Sequence, residues 1–281
     1  MYWQITLKVP KNLAETVEDF LYTHISQGWQ TIEINSEFLF IIYLEEKSQK
    51  LEDLKKFLVI YPQIQIESRV LKEENWEEKW KVNFKPLKIG KKIIILPPWE
   101  DYNPINQEII IIIEPGQAFG TGHHPTTQMM LKNIEIFKEK IQTPYETLKV
   151  LDLGCGTGIL AIACAKIFKN CLIWAVDIDI LAIKACKKNA LLNKVIDKIK
   201  IQRKIPKEKF HLILVNIGYK EIIALINSIR FLSQKGTHLF LTGFLKEDAQ
   251  KIIEKYQKIG YRVLKQDIRR EWGFLWMVFQ D

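Results

Sequence analysis

The chain has 281 residues, 47% of them hydrophobic, and a formal charge of +8 at pH 7. This length predicts about two domains, and the composition excludes a collagen-like, low-complexity or disordered chain. The longest apolar runs fall well short of the roughly 18 residues that a membrane span needs. The first residues show no signal-peptide pattern. We therefore expect a cytoplasmic protein that makes no membrane contact.

The charge is unevenly distributed along the chain. Residues 1–70 carry a net charge of −3 and residues 71–281 carry +11. The acidic first segment is compatible with a basic partner, and the basic remainder with nucleic acid. No dense Lys/Arg cluster interleaved with aromatic residues is present, however, which favours lysines on solvated faces. We expect no direct sequence-specific contact with nucleic acid.

The cysteines, Cys155, Cys164, Cys171 and Cys186, form no CxxC pair. This spacing is typical of reduced thiols in a cytosolic protein and favours neither a disulfide framework nor a metal site. The adjacent His123 and His124 do not change that expectation, since neighbouring loop residues rarely point at one ion.

Residues 1–70 have the pattern of a small α+β domain. Strands are predicted at Tyr2 to Val9, Trp29 to Ile34, Phe38 to Leu44 and Gln63 to Val70, with helices near residues 12–21 and at Leu51 to Leu58. The order β-α-β-β-α-β is typical of ferredoxin-like modules. Residues 71–83 follow as a charged linker, predicted to be helical, with Trp76 and Trp80 spaced to pack on a neighbouring domain.

Residues 84–281 have the pattern of a second domain, in which strands and helices alternate. The predicted strands are Ile93 to Leu96, Ile109 to Ile113, Lys149 to Leu153, Cys171 to Asp177, Lys198 to Gln202, Phe210 to Asn216, Thr237 to Thr242, Tyr261 to Ile268 and Gly273 to Phe279. The predicted helices are Pro125 to Ile141, Thr157 to Phe168, Asp179 to Leu192, Tyr219 to Leu232 and Lys246 to Ile259. Such near-continuous Val/Ile/Leu strands predict a doubly wound, Rossmann-like α/β fold with a parallel sheet.

The segment VLDLGCGTG, residues 150–158, carries the strongest chemical signal. A buried strand leads into a glycine turn that begins at Gly154 and opens a helix, where free N–H groups can approach a ligand. The dinucleotide fingerprint needs Gly or Ala at position 159, and the chain has Ile159. The glycine turn therefore either binds a different nucleoside ligand or is a purely structural strand-to-helix turn.

Two further strand ends place polar side chains at the same sheet edge. Asp177 ends the next strand, 23 residues after Gly154, at the spacing of a carboxylate that accepts ribose hydroxyls. Its neighbour Asp179 is better placed to cap the following helix. Asn216 ends a third strand and can hydrogen-bond a ligand or an incoming amine, although it could also be a simple turn residue.

The segment EPGQAFGTGHHPTT, residues 114–127, predicts a mobile loop that folds over a ligand, with Phe119 and Thr127 positioned to touch it. Together with the glycine turn, VDIDILAIKACKKNA, LILVNI, LTGFL and the linker WEEKWKVNFKPLKIG, it resembles the PrmA family. Members of that family methylate large-subunit ribosomal protein eleven, and the resemblance covers nearly the whole chain.

The resemblance implies an S-adenosylmethionine-dependent protein methyltransferase. It implies cofactor contacts at Thr127, Gly154, Asp177 and Asn216, with no dedicated catalytic base. It further implies that residues 1–70 recognise the ribosomal protein while residues 84–281 present its lysines and its α-amine to the cofactor. We expect a monomer.

The chain departs from the family pattern at three positions. His123 stands where the family usually has Thr, and Gly218 and Tyr219 stand where it usually has Leu-Ala. Thr127, Asn216 and Tyr219 are our candidates for the lining of the amine pocket. Two other functions stay open: methylation of RNA or a small amine on the same fold, and a non-catalytic nucleotide-binding interaction module.

Overall fold

The computed structural model describes residues 2–25, 29–34, 37–46, 48–71, 85–105, 107–116, 118–140 and 145–280. The chain divides into two compact units, Met1–Phe84 and Lys85–Asp281. Within the described ranges, no helix has the length and apolar character to cross a membrane. Trp76 and Trp80, which we expected on a linker helix, fall outside the described residues.

The N-terminal unit has the predicted order of strands and helices. Its elements are β1 (Tyr2–Pro10), α1 (Ala14–His24), β2 (Trp29–Ile34), β3 (Glu37–Glu45), α2 (Gln49–Ile60) and β4 (Gln65–Leu71). The strands form an antiparallel sheet in the order β2-β3-β1-β4. This is the topology of the split β-α-β motif, and the predicted ferredoxin-like domain is confirmed.

Alternation along the strands decides which face of this sheet is covered. In β3, Phe40 and Ile42 are fully buried, whereas Ile41 between them is half-buried. Ile42 lies opposite Ile5 of β1, and the two share one hydrophobic cluster with Val17 of α1 and with residues of α2. Both helices therefore pack against the same face of the sheet.

The second unit contains the predicted alternation of strands and helices. Its elements are β5 (Leu87–Ile89), β6 (Ile93–Leu96), β7 (Ile109–Ile112), α3 (Pro125–Lys140), β8 (Leu148–Leu153), α4 (Ile159–Ile167), β9 (Cys171–Val176), α5 (Ile180–Leu192), β10 (Ile199–Gln202), β11 (Phe210–Asn216), α6 (Tyr219–Ala224), α7 (Ile226–Leu232), β12 (Ser233–Leu245), α8 (Ala249–Gln257), β13 (Tyr261–Arg269) and β14 (Trp272–Phe279). Strands β5, β6 and β7 form a small separate sheet.

The remaining strands form one seven-stranded sheet in the order β10-β9-β8-β11-β12-β14-β13. The pairs from β10 to β12 are parallel, and β14 runs antiparallel to both of its neighbours. Adjacent residues of β11 belong to different cores, since Leu214 packs in one hydrophobic cluster and Ile213 in another. Both faces of the sheet are therefore buried, as the near-continuous apolar strands predict, and the doubly wound fold is confirmed.

The structure differs from the sequence prediction most clearly in three elements, one of which is β12, since this strand runs over Ser233–Leu245 and not only from Thr237 to Thr242. The helix expected from Tyr219 to Leu232 is two helices that meet at Leu225, which serves as the C-cap of α6 and the N-cap of α7. Nothing in the sequence marks this break, because no Gly or Pro interrupts the segment and its helical hydrophobic periodicity continues across Leu225. The short strand β5 was not predicted, because three residues are too few for an alternating pattern.

Candidate active site

A cavity of about 750 Å³ lies at the carboxyl ends of the parallel strands of the second unit. The ends of β8, β9 and β11 contribute Gly154, Asp177 and Asn216 to its wall. This is the position where open parallel sheets bind ligands, because side chains from neighbouring strand ends converge there. Three of the four predicted cofactor contacts are thus brought together in one cavity.

The glycine turn is held open by the strand next to it. The backbone N–H groups of Gly154 and Cys155 both donate to the carbonyl of Val176, at 2.8 and 3.1 Å. Gly156 has a positive φ of 52°, and a side chain there would collide with the carbonyl of Phe119. The backbone can therefore lie close to a ligand and to the overlying loop at this point, which a larger residue would prevent.

Asp177 is fixed by backbone donors on two sides. One carboxylate oxygen accepts a hydrogen bond from the Gly156 N–H and the other accepts one from the Asp179 N–H, each at 3.0 Å. Each carboxylate oxygen still has a lone pair for a further donor. The side chain therefore faces the cavity in a set orientation and can accept hydrogen bonds from vicinal hydroxyls. Asp179 caps α5 by accepting from the Leu181 N–H at 2.8 Å, so its predicted capping role is confirmed.

The segment before α3 is fastened to the glycine turn. The Thr157 N–H donates to the Phe119 carbonyl at 2.9 Å, and the Thr157 hydroxyl donates to the Gly120 carbonyl at 2.6 Å. Phe119 itself is 54% exposed and lines the cavity. The loop that we predicted to cover a ligand therefore forms part of the wall.

Thr127 lies next to the cavity without lining it. Its side chain is fully buried, and its hydroxyl has no hydrogen-bond partner within the described residues. The preceding residue, Thr126, lines the cavity instead and shares a 2.7 Å hydrogen bond with Nδ1 of His124. Tyr219, our other candidate for the amine pocket, packs against the hydrophobic core and is not among the lining residues.

Three aromatic side chains form a continuous part of the wall. The His124 ring lies edge-on to Phe119 and to Trp272, with ring centroids 5.4 and 4.9 Å apart. Burial lowers the pKa of His124, so its imidazole is neutral at pH 7. These faces offer an apolar, electron-rich surface against which a cationic amine or sulfonium can lie.

A second part of the wall combines apolar and cationic groups. Ile178 and Ile205 line the cavity and are 83% and 37% exposed to solvent. The guanidinium of Arg203 donates to the Ile178 carbonyl from Nε and Nη2, at 3.2 and 3.1 Å. Exposed isoleucines beside Asp177 suit the flat face of a nucleoside base.

Asp152 lies beneath the glycine turn and is completely buried. One of its oxygens accepts from the Ala161 N–H at 3.1 Å, and the other has no partner in the described part of the chain. Desolvation raises the pKa of this carboxyl to about 7, since burial disfavours its charged form. A hydrogen bond with Cys186, together with burial, likewise raises the pKa of the Cys155 thiol, so this cysteine is not a thiolate nucleophile.

Among the described residues, no three His, Cys, Asp or Glu side chains come together in a way that could hold a metal ion. The cavity wall offers backbone amides, carboxylates, one amide side chain, the Arg203 guanidinium and apolar faces. Such a set can bind a nucleoside with a charged tail and exclude water from a transfer between two bound groups.

Sequence reasoning missed several of the lining residues. Arg203, Glu221 and Trp272 reach the cavity from the end of β10, the start of α6 and the start of β14. No local motif surrounds any of them.

Comparison with known proteins gives a consistent match for the whole chain. The family model "Ribosomal protein L11 methyltransferase (PrmA)" matches residues 1–280. A ribosomal protein L11 methyltransferase of Caldanaerobacter subterraneus is 32% identical over 272 residues, which cover 93% of this chain and 85% of the relative. Another from Trichlorobacter lovleyi is 34% identical and covers 88% of both chains.

A solved structure gives the same result. The ribosomal protein L11 methylase from Lactobacillus delbrueckii subsp. bulgaricus superimposes with a TM-score of 0.63 at 27% identity. It covers 70% of this chain and 100% of its own. The match therefore holds at the level of the fold as well as the sequence.

Proposed function

Because this chain belongs to the PrmA family of ribosomal protein L11 methyltransferases, we propose that it transfers methyl groups from S-adenosylmethionine to ribosomal protein L11. The acceptors are lysine side chains and the α-amine. The observation that carries the proposal is the single cavity that unites Gly154, Asp177 and Asn216 at the carboxyl edge of the sheet. Its volume of about 750 Å³ suits a nucleoside-sized ligand.

The residues of the wall fit the cofactor part by part. Asp177 has free lone pairs for the ribose hydroxyls, and Ile178 and Ile205 offer apolar contact for the base. The glycine turn presents backbone groups to the charged methionyl tail, and the Asn216 amide can hydrogen-bond the methionyl part or the incoming amine. When bound, the cofactor supplies an electrophilic methyl group on a positively charged sulfur.

The chain's own task is to present a neutral amine. A lysine with a pKa near 10.4 costs roughly 4 kcal/mol to deprotonate at neutral pH. The apolar wall of Phe119, His124 and Trp272 desolvates the amine and so lowers its pKa, and neutral His124 adds no second positive charge. Positioning and exclusion of water supply the remaining acceleration, and no residue is assigned as a general base.

The two units take different roles in this proposal. The domain of residues 1–70, with its net charge of −3, recognises the basic ribosomal protein. Residues 71–83 link it to the catalytic domain of residues 84–281, which holds the cofactor contacts Thr127, Gly154, Asp177 and Asn216. The protein acts in the cytoplasm as a monomer and without sequence-specific contact to nucleic acid.

The test is methyl transfer to purified large-subunit ribosomal proteins from labelled S-adenosylmethionine, with mass spectrometry of each protein and parallel counting of RNA. We expect mass to be added to L11 in steps of one methyl group. Asp177→Ala should weaken cofactor binding at least 100-fold, because it removes the carboxylate that accepts charge-assisted hydrogen bonds from two ribose hydroxyls.

Asp197→Ala is the matched control, because this aspartate is exposed and lies outside the cavity wall. It should leave both binding and transfer unchanged. Label in RNA alone would mean that the substrate is RNA and not a protein, with the fold unchanged. Absence of both binding and label would favour the non-catalytic interaction module, and unchanged binding by Asp177→Ala would contradict the ribose assignment.

A further inference from the structure

Glu221 differs from the other acidic residues of the cavity wall. The wall contains three carboxylates, Asp177, Asp179 and Glu221. The two aspartates accept hydrogen bonds from backbone N–H groups of the chain itself. The Glu221 backbone carbonyl accepts a hydrogen bond from the Leu225 N–H, but within the part of the chain that the structure describes its exposed carboxylate accepts none and forms no ion pair, so that negative charge is available to a ligand.

Glu221 lines the same cavity as Asn216 and follows it closely along the chain. It occupies the first turn of α6, which begins three residues after Asn216 ends β11. A glutamate at this position of a helix often accepts a hydrogen bond from the N-cap backbone. The N-cap here is Gly218, and in the described structure its N–H is not bonded to Glu221. Helix capping therefore does not account for the position of the carboxylate.

The glycine at position 218 makes room for that carboxylate. A Cβ added to Gly218 would lie 2.5 Å from Oε2 of Glu221, well inside van der Waals contact. The backbone does not itself require glycine, because φ is −63° and ψ is 160°, a conformation open to any residue. Glycine at this position thus leaves room for the acidic side chain along the wall, where any larger residue would displace it.

We propose that Glu221 is a positioning residue that binds the ammonium group of the incoming substrate lysine. This inference rests on the proposed function, since it concerns the acceptor of the same methyl transfer. An unpaired carboxylate attracts the charged amine into a cavity whose two other carboxylates already accept hydrogen bonds from the chain itself. The ammonium then releases its proton to solvent, and the neutral amine turns toward the methyl donor beside Asn216.

The pairing has a defined electrostatic consequence. A nearby carboxylate stabilises the charged amine and so raises its pKa in the complex. Glu221 therefore strengthens substrate binding but keeps a larger fraction of bound amine protonated. Its removal should weaken binding without slowing the chemical step, and it should shift the pH at which the bound amine becomes reactive.

The first experiment compares Glu221→Gln with wild type on ribosomal protein L11. We expect KM for L11 to rise about tenfold, the scale of one charge-assisted hydrogen bond. The turnover number should stay within about twofold or increase, and the dissociation constant of S-adenosylmethionine should not change. The acidic limb of the kcat profile should move to lower pH, which the loss of a merely structural side chain would not cause. Glu247→Gln, an exposed glutamate outside the wall, is the control.

The second experiment uses Gly218→Ala, alone and combined with Glu221→Gln. The added methyl group should displace the carboxylate and raise KM in the wild-type background. It should have no further effect once Glu221 is Gln, so the two changes should be strongly non-additive. Additive effects would mean that Gly218 does not act through Glu221.

The outcomes separate this inference from the proposed function. If wild type does not methylate L11, the proposed function fails. If wild type does so and Glu221→Gln keeps the same KM and pH profile, this inference alone fails. A weaker affinity of the variant for S-adenosylmethionine, with KM for L11 unchanged, would place Glu221 on the cofactor and also overturn it.

Discussion

The two sheets of the molecule bury their side chains in different ways. In the N-terminal sheet, strand β3 alternates between fully buried residues such as Ile42 and half-buried ones such as Ile41. In the seven-stranded sheet, the neighbours Ile213 and Leu214 of β11 are both fully buried, in separate cores. One sheet packs its helices on a single face and the other packs them on both.

This difference explains why the candidate active site lies in the second unit. In the seven-stranded sheet both faces are occupied, so a ligand has access at the strand ends, and Gly154, Asp177 and Asn216 all lie there. The N-terminal sheet has no such edge, because its neighbouring strands run in opposite directions.

The largest loss of stability is expected from substitutions in β11. Ile213→Ala and Leu214→Ala should each lower the free energy of unfolding by about 2 to 5 kcal/mol, because each leaves a cavity in a filled core. Denaturant titration, followed by a probe within residues 85–281, measures both. A variant at either position with nearly wild-type stability would show that one face of this sheet is not a close-packed core.

Asp152 makes the two units differ in how their stability depends on pH. The seven-stranded sheet buries this carboxyl completely, whereas no charged side chain is buried in the described part of the N-terminal unit. The pKa of Asp152 is about 7 in the folded chain, against 3.8 for an ordinary aspartate. Between these values the folded state holds a proton that the unfolded state has released, so the stability of the protein falls as pH rises.

Asp152→Asn removes this pH dependence. Relative to wild type, the variant should gain about 3 to 5 kcal/mol in unfolding free energy between pH 4 and pH 8. Unfolding titrations of the cofactor-free protein at several pH values measure the gain, with the exposed Asp197→Asn as control. A difference between variant and wild type that does not change with pH would contradict the raised pKa.

The next largest loss of stability is expected from substitutions in β3. Ile42→Ala should cost about 2 to 4 kcal/mol, whereas Ile41→Ala, one residue away, should cost less than about 1.5 kcal/mol. The two substitutions delete the same atoms, so the difference reports burial alone. Amide hydrogen exchange within residues 2–71 follows this unit separately from the other. Equal costs would show that the second face of the sheet is also covered.

The comparison also shows why some predictions from sequence succeeded. Alternating strands and continuous apolar strands leave different periodicities, so both sheets could be predicted from the chain. The glycine turn and Asp177 were recognisable because their chemistry depends on short spacing along the sequence. Asp179 could be assigned as a cap from its position alone, and the structure confirms it.

Other features depend on packing between distant segments. Trp272 reaches the cavity wall from β14, more than 50 residues beyond β11, the last of the strands whose ends build most of the site. The sequence favoured Thr127 on the wall, but α3 turns Thr126 toward the cavity and buries its neighbour. A one-residue difference in the phase of a helix cannot be predicted from composition or spacing. Thr127 therefore stays a prediction as a cofactor contact.

The smallest expected effect concerns the helix starts in the two units. Asp179 accepts a hydrogen bond from the Leu181 N–H at the start of α5, whereas the Ser48 hydroxyl, at the N-cap of α2, donates backward to the Glu45 carbonyl. Asp179→Ala should therefore cost about 1 kcal/mol, and Ser48→Ala less than about half of that. Unfolding titrations measure both. Equal costs would mean that the carboxylate does not act as a cap. Because Asp179 also lines the cavity, its variant should be assayed for cofactor binding, which should fall far less than in Asp177→Ala if Asp177 is the residue that accepts the ribose hydroxyls.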